Sequence, residues 1–189
     1  MSDLIKATDG LEYNGNVKIS IKAGKRILSS RTIHNNGTKN LFRFLSNCLA
    51  GDLRSDMLPR RIRLYTAKDS EDVTDETTWD WSETTAISPY VYMASSAVAY
   101  TEENTRSQTK YVFRVPYSQI IGNNIYKLAL YAGTTTDSTN DRYAYIVLKE
   151  KQDEKWVWAP ITFDKNTRKY AIEIEWTLEI SNKDTVSTK

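Results

Sequence analysis

The sequence predicts a mainly β protein: an antiparallel β-sandwich-like domain of about eight or nine strands with one packed amphipathic helix at about 38–50. Three observations predict it. Apolar and polar residues alternate with period two along most of the chain. Turn-forming residues separate these runs at short intervals. A helical period is evident in a single stretch, residues 39–50.

The elements follow in order. "NVKISIKA" puts Val17, Ile19 and Ile21 on one face and Lys18, Ser20 and Lys22 on the other. Gly24 turns the chain into "RILSSRTI", so residues 16–33 read as a hairpin. In "LFRFLSNCLAG", Leu41, Phe42, Phe44, Leu45, Cys48 and Leu49 fall within an arc of roughly 160° on a helix. Thr38 or Asn36 can cap its start, and Gly51 stands where a helix end wants positive φ. "RRIRLYTA" follows, with Ile62 and Leu64 facing inward. Further strands are expected at 90–100, 110–117, 124–133, 142–150, 155–163 and 169–181. In the last, Tyr170, Ile172, Ile174, Trp176, Leu178 and Ile180 form an apolar row opposite Glu173, Glu175, Thr177 and Glu179. "GTTTDSTND" (133–141) and "FDKNTRK" (163–169) read as exposed loops.

With 189 residues the chain is long enough for one domain that folds without a disulfide or a metal. A single domain over 1–181 is expected, with a long acidic loop at 66–89 and a mobile tail at 182–189. The lone cysteine rules out an intrachain disulfide and a Cys-rich metal site. A net charge of +2 gives no reason to expect nucleic acid. No apolar run approaches the roughly 20 residues that cross a bilayer, and "MSDLIKATDG" does not read as a signal peptide.

Few residues offer catalytic chemistry. His34 precedes the helix, while Cys48 lies about ten residues into it, roughly 15 Å along the axis. Cys48 therefore reads as a core side chain rather than half of a Cys-His pair. Glu173, Glu175 and Glu179 share a strand face, which is more often a wet sheet surface than a glycosidase pair. Asp69, Glu71, Asp72 and Asp75 could approach a cation, yet the loop lacks the glycine of a tight calcium turn. No enzyme activity, cofactor or metal is expected.

Two sets of residues invite a binding role. The basic residues Arg54, Arg60, Arg61 and Arg63 precede the acidic loop, where Trp79 and Trp81 sit among Asp72, Asp75 and other carboxylates. Charge complementarity between a basic patch on one subunit and the acidic loop of the next would build a ring. Arg60, Arg61, Arg63, Asp72, Asp75, Trp79 and Trp81 form this candidate interface; the plainer reading of Arg54, Arg60, Arg61 and Arg63 is a solvated edge. The second set is Trp156 and Trp158, which share a strand face and could form a platform for a sugar ring.

The stretch "LFRFLSNCLAGDLRSDMLPRRIRLY" resembles a pattern in bacteriophage tail and fibre-attachment proteins. There, a short amphipathic helix ends in a small residue and Gly, and a Pro leads into a strand. "IYKLALYAG", "RYAYIVLKE" and "YAIEIEWTLEIS" are similar to the closing hairpins of those families. The likeness covers roughly residues 35–65 and 124–181, and is one of order and texture. At "KLALY" the chain lacks the acidic residue and Gly those modules usually carry. The resemblance implies a virion component made in the host cytoplasm, assembling with itself and other virion proteins. It implies no catalytic residue. The alternative is a carbohydrate-binding module.

Overall fold

The structure, a computed structural model, describes residues 11–52, 54–66, 73, 81, 85–87, 90–100, 106–133, 142–163 and 170–182. Strand β1 (Leu11–Ala23) turns through Gly24 into β2 (Arg26–His34). Asn35 leads to the short β3 (Asn36–Gly37), then helix α1 (Lys39–Leu49), a 3-10 turn at Ser55–Met57 and β4 (Pro59–Tyr65). Next come β5 (Val91–Tyr100), β6 (Arg106–Pro116), the one-turn helix α2 (Tyr117–Ile120), β7 (Asn124–Ile125) and β8 (Lys127–Ala132). The chain ends with β9 (Arg142–Val147), a ribbon of β10 (Lys149–Gln152) and β11 (Lys155–Trp158), then β12 (Ile161–Thr162) and β13 (Tyr170–Asn182).

The fold is mainly β, as the alternation predicts. Among the described residues, nine strands form one antiparallel sheet in the order β2-β1-β13-β6-β5-β4-β8-β9-β3. Two corners wrap this sheet into a sandwich. At the first, Val91 and Tyr92 of β5 pair with β4, whereas Met93 to Tyr100 pair with β6. An irregularity between Met93 and Ser95 marks the switch. At the second, the amide of Asn35 still donates to Gly15 O of β1 at 2.9 Å. The next two residues pair with Tyr145 and Ala144 of β9. One layer is thus β2-β1-β13-β6, and the other is β4-β8-β9-β3.

The core lies between the layers. Val17, Ile19, Phe113, Val115, Ile172, Ile174 and Trp176 enter from one side; Ile62, Leu64, Leu128, Leu130, Ala144 and Ile146 enter from the other. Burying each large apolar side chain contributes about 1.5–3 kcal/mol. Helix α1 closes one part of the sandwich through Leu41 and Phe44, and Phe44 stacks on Tyr143 of β9 with ring centroids 5.1 Å apart.

Several boundaries differ from the sequence reading. β1 starts at Leu11, not residue 16, and β6 starts at Arg106, not residue 110. The expected strands at 142–150 and 155–163 each break in two: Leu148 turns from the main sheet to bond Tyr126 O, and Ala159 bonds Leu148 O between the separate short strands β11 and β12. Phe42 is 55 % exposed, so the buried helical arc is narrower than expected. Thr38 does occupy the N-cap position, but its hydroxyl donates to Arg142 O and Tyr143 O and does not cap the helix. Asn36 is in β3. The C-terminus agrees: Gly51 has φ +78°, Gly51 N donates to Cys48 O, and Asp52 N donates to Asn47 O. This is the Schellman arrangement.

Candidate functional site

The outer face of the β4-β8-β9 layer carries a lattice of cations and aromatic rings. Strand register builds it row by row. Arg61 lies beside Tyr131, Arg63 beside Ala129, and Tyr65 beside Lys127. Across the next interface Tyr131 lies beside Arg142, Ala129 beside Tyr145 and Lys127 beside Val147. The guanidiniums of Arg61 and Arg63 stand 4.2 and 4.0 Å from the Tyr90 ring centre. Arg142 stands 4.3 Å and Lys127 5.0 Å from that of Trp81. Trp81 itself meets Tyr65 and Tyr145 edge-on at 5.1 and 5.2 Å. The hydroxyls of Tyr65 and Tyr131 are hydrogen-bonded to each other. Burial pushes both above the ordinary tyrosine range, Tyr65 strongly.

This lattice takes up three of the seven expected interface residues, Arg61, Arg63 and Trp81. Arg61 and Arg63 are 1 % and 5 % exposed, so they do not form the surface patch that their sequence suggests. Of the four basic residues expected at a solvated edge, Arg54 and Arg60 are exposed. Of segment 66–89, the described Trp81 packs on the face that bears Arg61, Arg63 and Tyr65. Residues 85–87 hydrogen-bond back to β4, Val73 is fully buried against Val147, and Trp81 is half-buried on its own chain. Trp79, Asp72 and Asp75 lie outside the described residues, as do Asp69 and Glu71 of the possible cation site.

A groove of about 330 Å³ lies between β2 and the β10-β11 ribbon. Arg31, Thr32, His34 and Asn36 line one wall, with Lys149 and Trp156 on the other. Trp156 is 45 % exposed, and the Lys149 ammonium lies 4.8 Å from its ring centre. Trp158 behaves differently. It is half-buried, edge-on to Tyr126 at 5.7 Å and packed on Val73 and Val147. The expected Trp pair is therefore divided between one ligand-accessible ring and one packing ring. Arg31 ties the groove together: it donates to Ala159 O at 3.1 Å and also to Lys149 O. A second groove of about 270 Å³ begins on its other side, lined by Ser29, Ser30, Pro160 and Thr162.

The remaining candidates are accounted for locally. Glu173 pairs with Lys22 and Arg114, Glu175 with Lys18 and Lys110, and Glu179 with Arg106. The acidic row is a column between two basic columns. The hydrogen bond from Lys22 chiefly holds the Glu173 carboxyl below the usual range. Burial pushes the Cys48 thiol up, against the thiolate form that a nucleophile needs. Its neighbour Tyr111 is pushed up to about 12, mainly by burial. His34 is exposed, on the rim of the Trp156 groove. A third cavity of about 400 Å³ beside α1 mixes Arg43 and Arg54 with Asp52 and Asp56. Among the described residues, no cluster of three or more His, Cys, Asp or Glu could hold a metal ion.

No family model, curated protein or solved structure matches this chain.

Proposed function

We propose that this protein is a non-enzymatic structural component of a phage particle, in its tail, baseplate, neck or fibre attachment. It is made in the host cytoplasm and works by assembling with copies of itself and with other virion proteins. The virion part of this reading rests on the sequence resemblance. The assembly part is carried by one observation, the edge strand β2. Residues 26–30 are all exposed, and Ile27 and Leu28 are 49 % and 42 % exposed. Among the described residues, β1 is the only strand that pairs with β2. An exposed apolar edge is a template for pairing with a further chain.

Sedimentation of the purified protein, together with mass spectrometry of purified particles, tests the reading. The expected result is a species heavier than the monomer, which Ile27→Lys with Leu28→Glu reduces to a folded monomer. A wild-type monomer at every concentration, with the chain absent from particles, overturns it.

A second reading is favoured by a separate observation. The half-exposed Trp156 in a polar groove is the arrangement that a carbohydrate-binding module uses, with a rigid ring for stacking and polar groups beside it. Binding of sugars that depends on Trp156 tests that reading.

A further inference from the structure

The trough between β2 and residues 147–162 has a distinctive charge. Among the residues lining its two grooves are the cations Arg31 and Lys149, and none is an aspartate or glutamate. This contrasts with the cavity beside α1, where Asp52 and Asp56 offset Arg43 and Arg54. It also contrasts with the neighbouring sheet surface, where Glu173 and Glu175 each lie between basic residues. The trough is the one groove described here with positive charge and no acid lining it.

We infer that this trough binds an acidic oligosaccharide, with one sugar ring stacked on Trp156 and an anionic group held by Lys149 and Arg31. The inference rests on the carbohydrate reading of the Trp156 groove and narrows it to a ligand class. Four features carry it.

Trp156 is presented on the β10-β11 ribbon, whose turn residues Asp153 and Glu154 both have positive φ. Such a turn fixes the register of a two-residue hairpin, so the ring's position is set by backbone geometry. Lys149 now rests against that ring. An exposed cation–π contact is weak beside a charge-assisted hydrogen bond. An anionic group on the ligand therefore draws the ammonium away and bares the ring for stacking. Arg31 uses two of its five N–H groups on Ala159 O and Lys149 O, which holds its charge in place before any ligand arrives. Finally, Arg31 lines both grooves, and beyond it the second presents Ser29, Ser30 and Thr162 beside Ile19, Ile21 and Ile161. Hydroxyls there suit further sugar units, so the ligand is a chain of rings rather than a single one.

The anionic group could be a carboxylate, as in a uronic or sialic acid, or a phosphate on a polyol or sugar chain. Both meet the trough through the same charge chemistry. The test is a glycan array of acidic and neutral chains, followed by calorimetric titration. The titrants are sialyllactose against lactose, glucose phosphate against glucose, and inorganic phosphate alone. The wild type is compared with Trp156→Ala and Lys149→Gln. Thermal melts of both variants establish that they fold.

The expected result is that acidic sugars bind about tenfold or more tightly than their neutral parents. Trp156→Ala removes binding of both kinds, and Lys149→Gln removes only the preference. The pair that shows the larger preference distinguishes carboxylate from phosphate. Equal, Trp156-dependent binding of neutral and acidic sugars overturns this inference and leaves the carbohydrate reading standing. Inorganic phosphate binding as tightly as the acidic sugars, or binding that survives Trp156→Ala, means an anion site without a sugar platform and overturns both. An array with no bound glycan also overturns both.

Discussion

Gly15→Ala is expected to destabilise the fold far more than an ordinary glycine substitution in a strand, because Gly15 stands at the closing corner of the sandwich. The side chain of Asn35 is fully buried there. It accepts from Tyr13 Oη at 2.5 Å and donates to Thr177 O at 3.3 Å. A Cβ on Gly15 would lie 2.2 Å from Asn35 Oδ1 and 2.7 Å from both Cγ and Nδ2. All the atoms of the amide head are involved, so the whole group must move. Two hydrogen bonds, each worth about 1 kcal/mol net, are lost, and the stranded Tyr13 hydroxyl adds about 1–3 kcal/mol. Alanine's advantage over glycine in a strand returns about 0.5–1 kcal/mol. The net loss is about 3 kcal/mol, or a fall in Tm of roughly 6–12 °C for a chain of this size. Thermal unfolding followed by circular dichroism measures it. A double-mutant cycle with Asn35→Ala sharpens the test. With the amide gone, the alanine at position 15 has nothing to displace, so the double variant should be about as stable as Asn35→Ala alone. Additive losses, or a Gly15→Ala variant as stable as wild type, would refute the corner geometry.

Three further outcomes follow from the same structure. Trp81→Ala should cost about 3–5 kcal/mol in the isolated chain, since it removes the ring packed on Tyr65 and Tyr145; an unchanged melting temperature combined with impaired assembly would show that Trp81 serves a neighbour instead. Glu154→Gly should stabilise by about 1 kcal/mol, because Glu154 has φ +71° and its ion pair with Lys151 is exposed; a lower Tm would contradict this. Glu173 has a depressed folded pKa, so its contribution is fully present above the usual carboxylate range and is lost as pH falls through the folded value. Wild type and Glu173→Gln should therefore converge in stability as pH falls below the ordinary glutamate value of about 4.3, and a gap that widens in urea titrations there would count against the pairing.

The period-two signal carried the fold class because it reports local geometry directly. β13 illustrates this: Ile172, Ile174, Trp176 and Leu178 are buried, and Glu173, Glu175 and Glu179 turn to the opposite side. The helix was legible for the same reason, down to Gly51 at its end. The closing corner was not. It depends on Gly15 meeting Asn35, 20 positions apart, and nothing local in "EYNGN" announces a close approach. The Trp156 groove was half legible. Strand spacing places Trp156 and Trp158 on one face, but only the position of Val73 and Val147 decides which of them is packed.

The cation lattice shows why the alternation in β4 misled. Alternation states that Ile62 and Leu64 face one way and Arg61 and Arg63 the other, and both statements hold. It cannot state what covers the second face. The relevant signal lay in the neighbouring strands. All six residues of β8, "KLALYA", are buried, and Ala129 and Tyr131 are apolar on the same side as Lys127. β9 is similar, with Tyr145 and Val147 opposite Ala144 and Ile146. Strands that are apolar on both faces belong to a sheet covered on both faces. Arg61 and Arg63 pair in register with β8, so they share its cover, and their positive charge meets aromatic faces there in place of water. Their long side chains add apolar stems to that packing. The segment between β4 and β5 is thus tied to its own sheet at Val73, Trp81 and residues 85–87. An assembly contact is better sought at the β2 edge, where Ile27 and Leu28 remain exposed, than at the face that Trp81 covers.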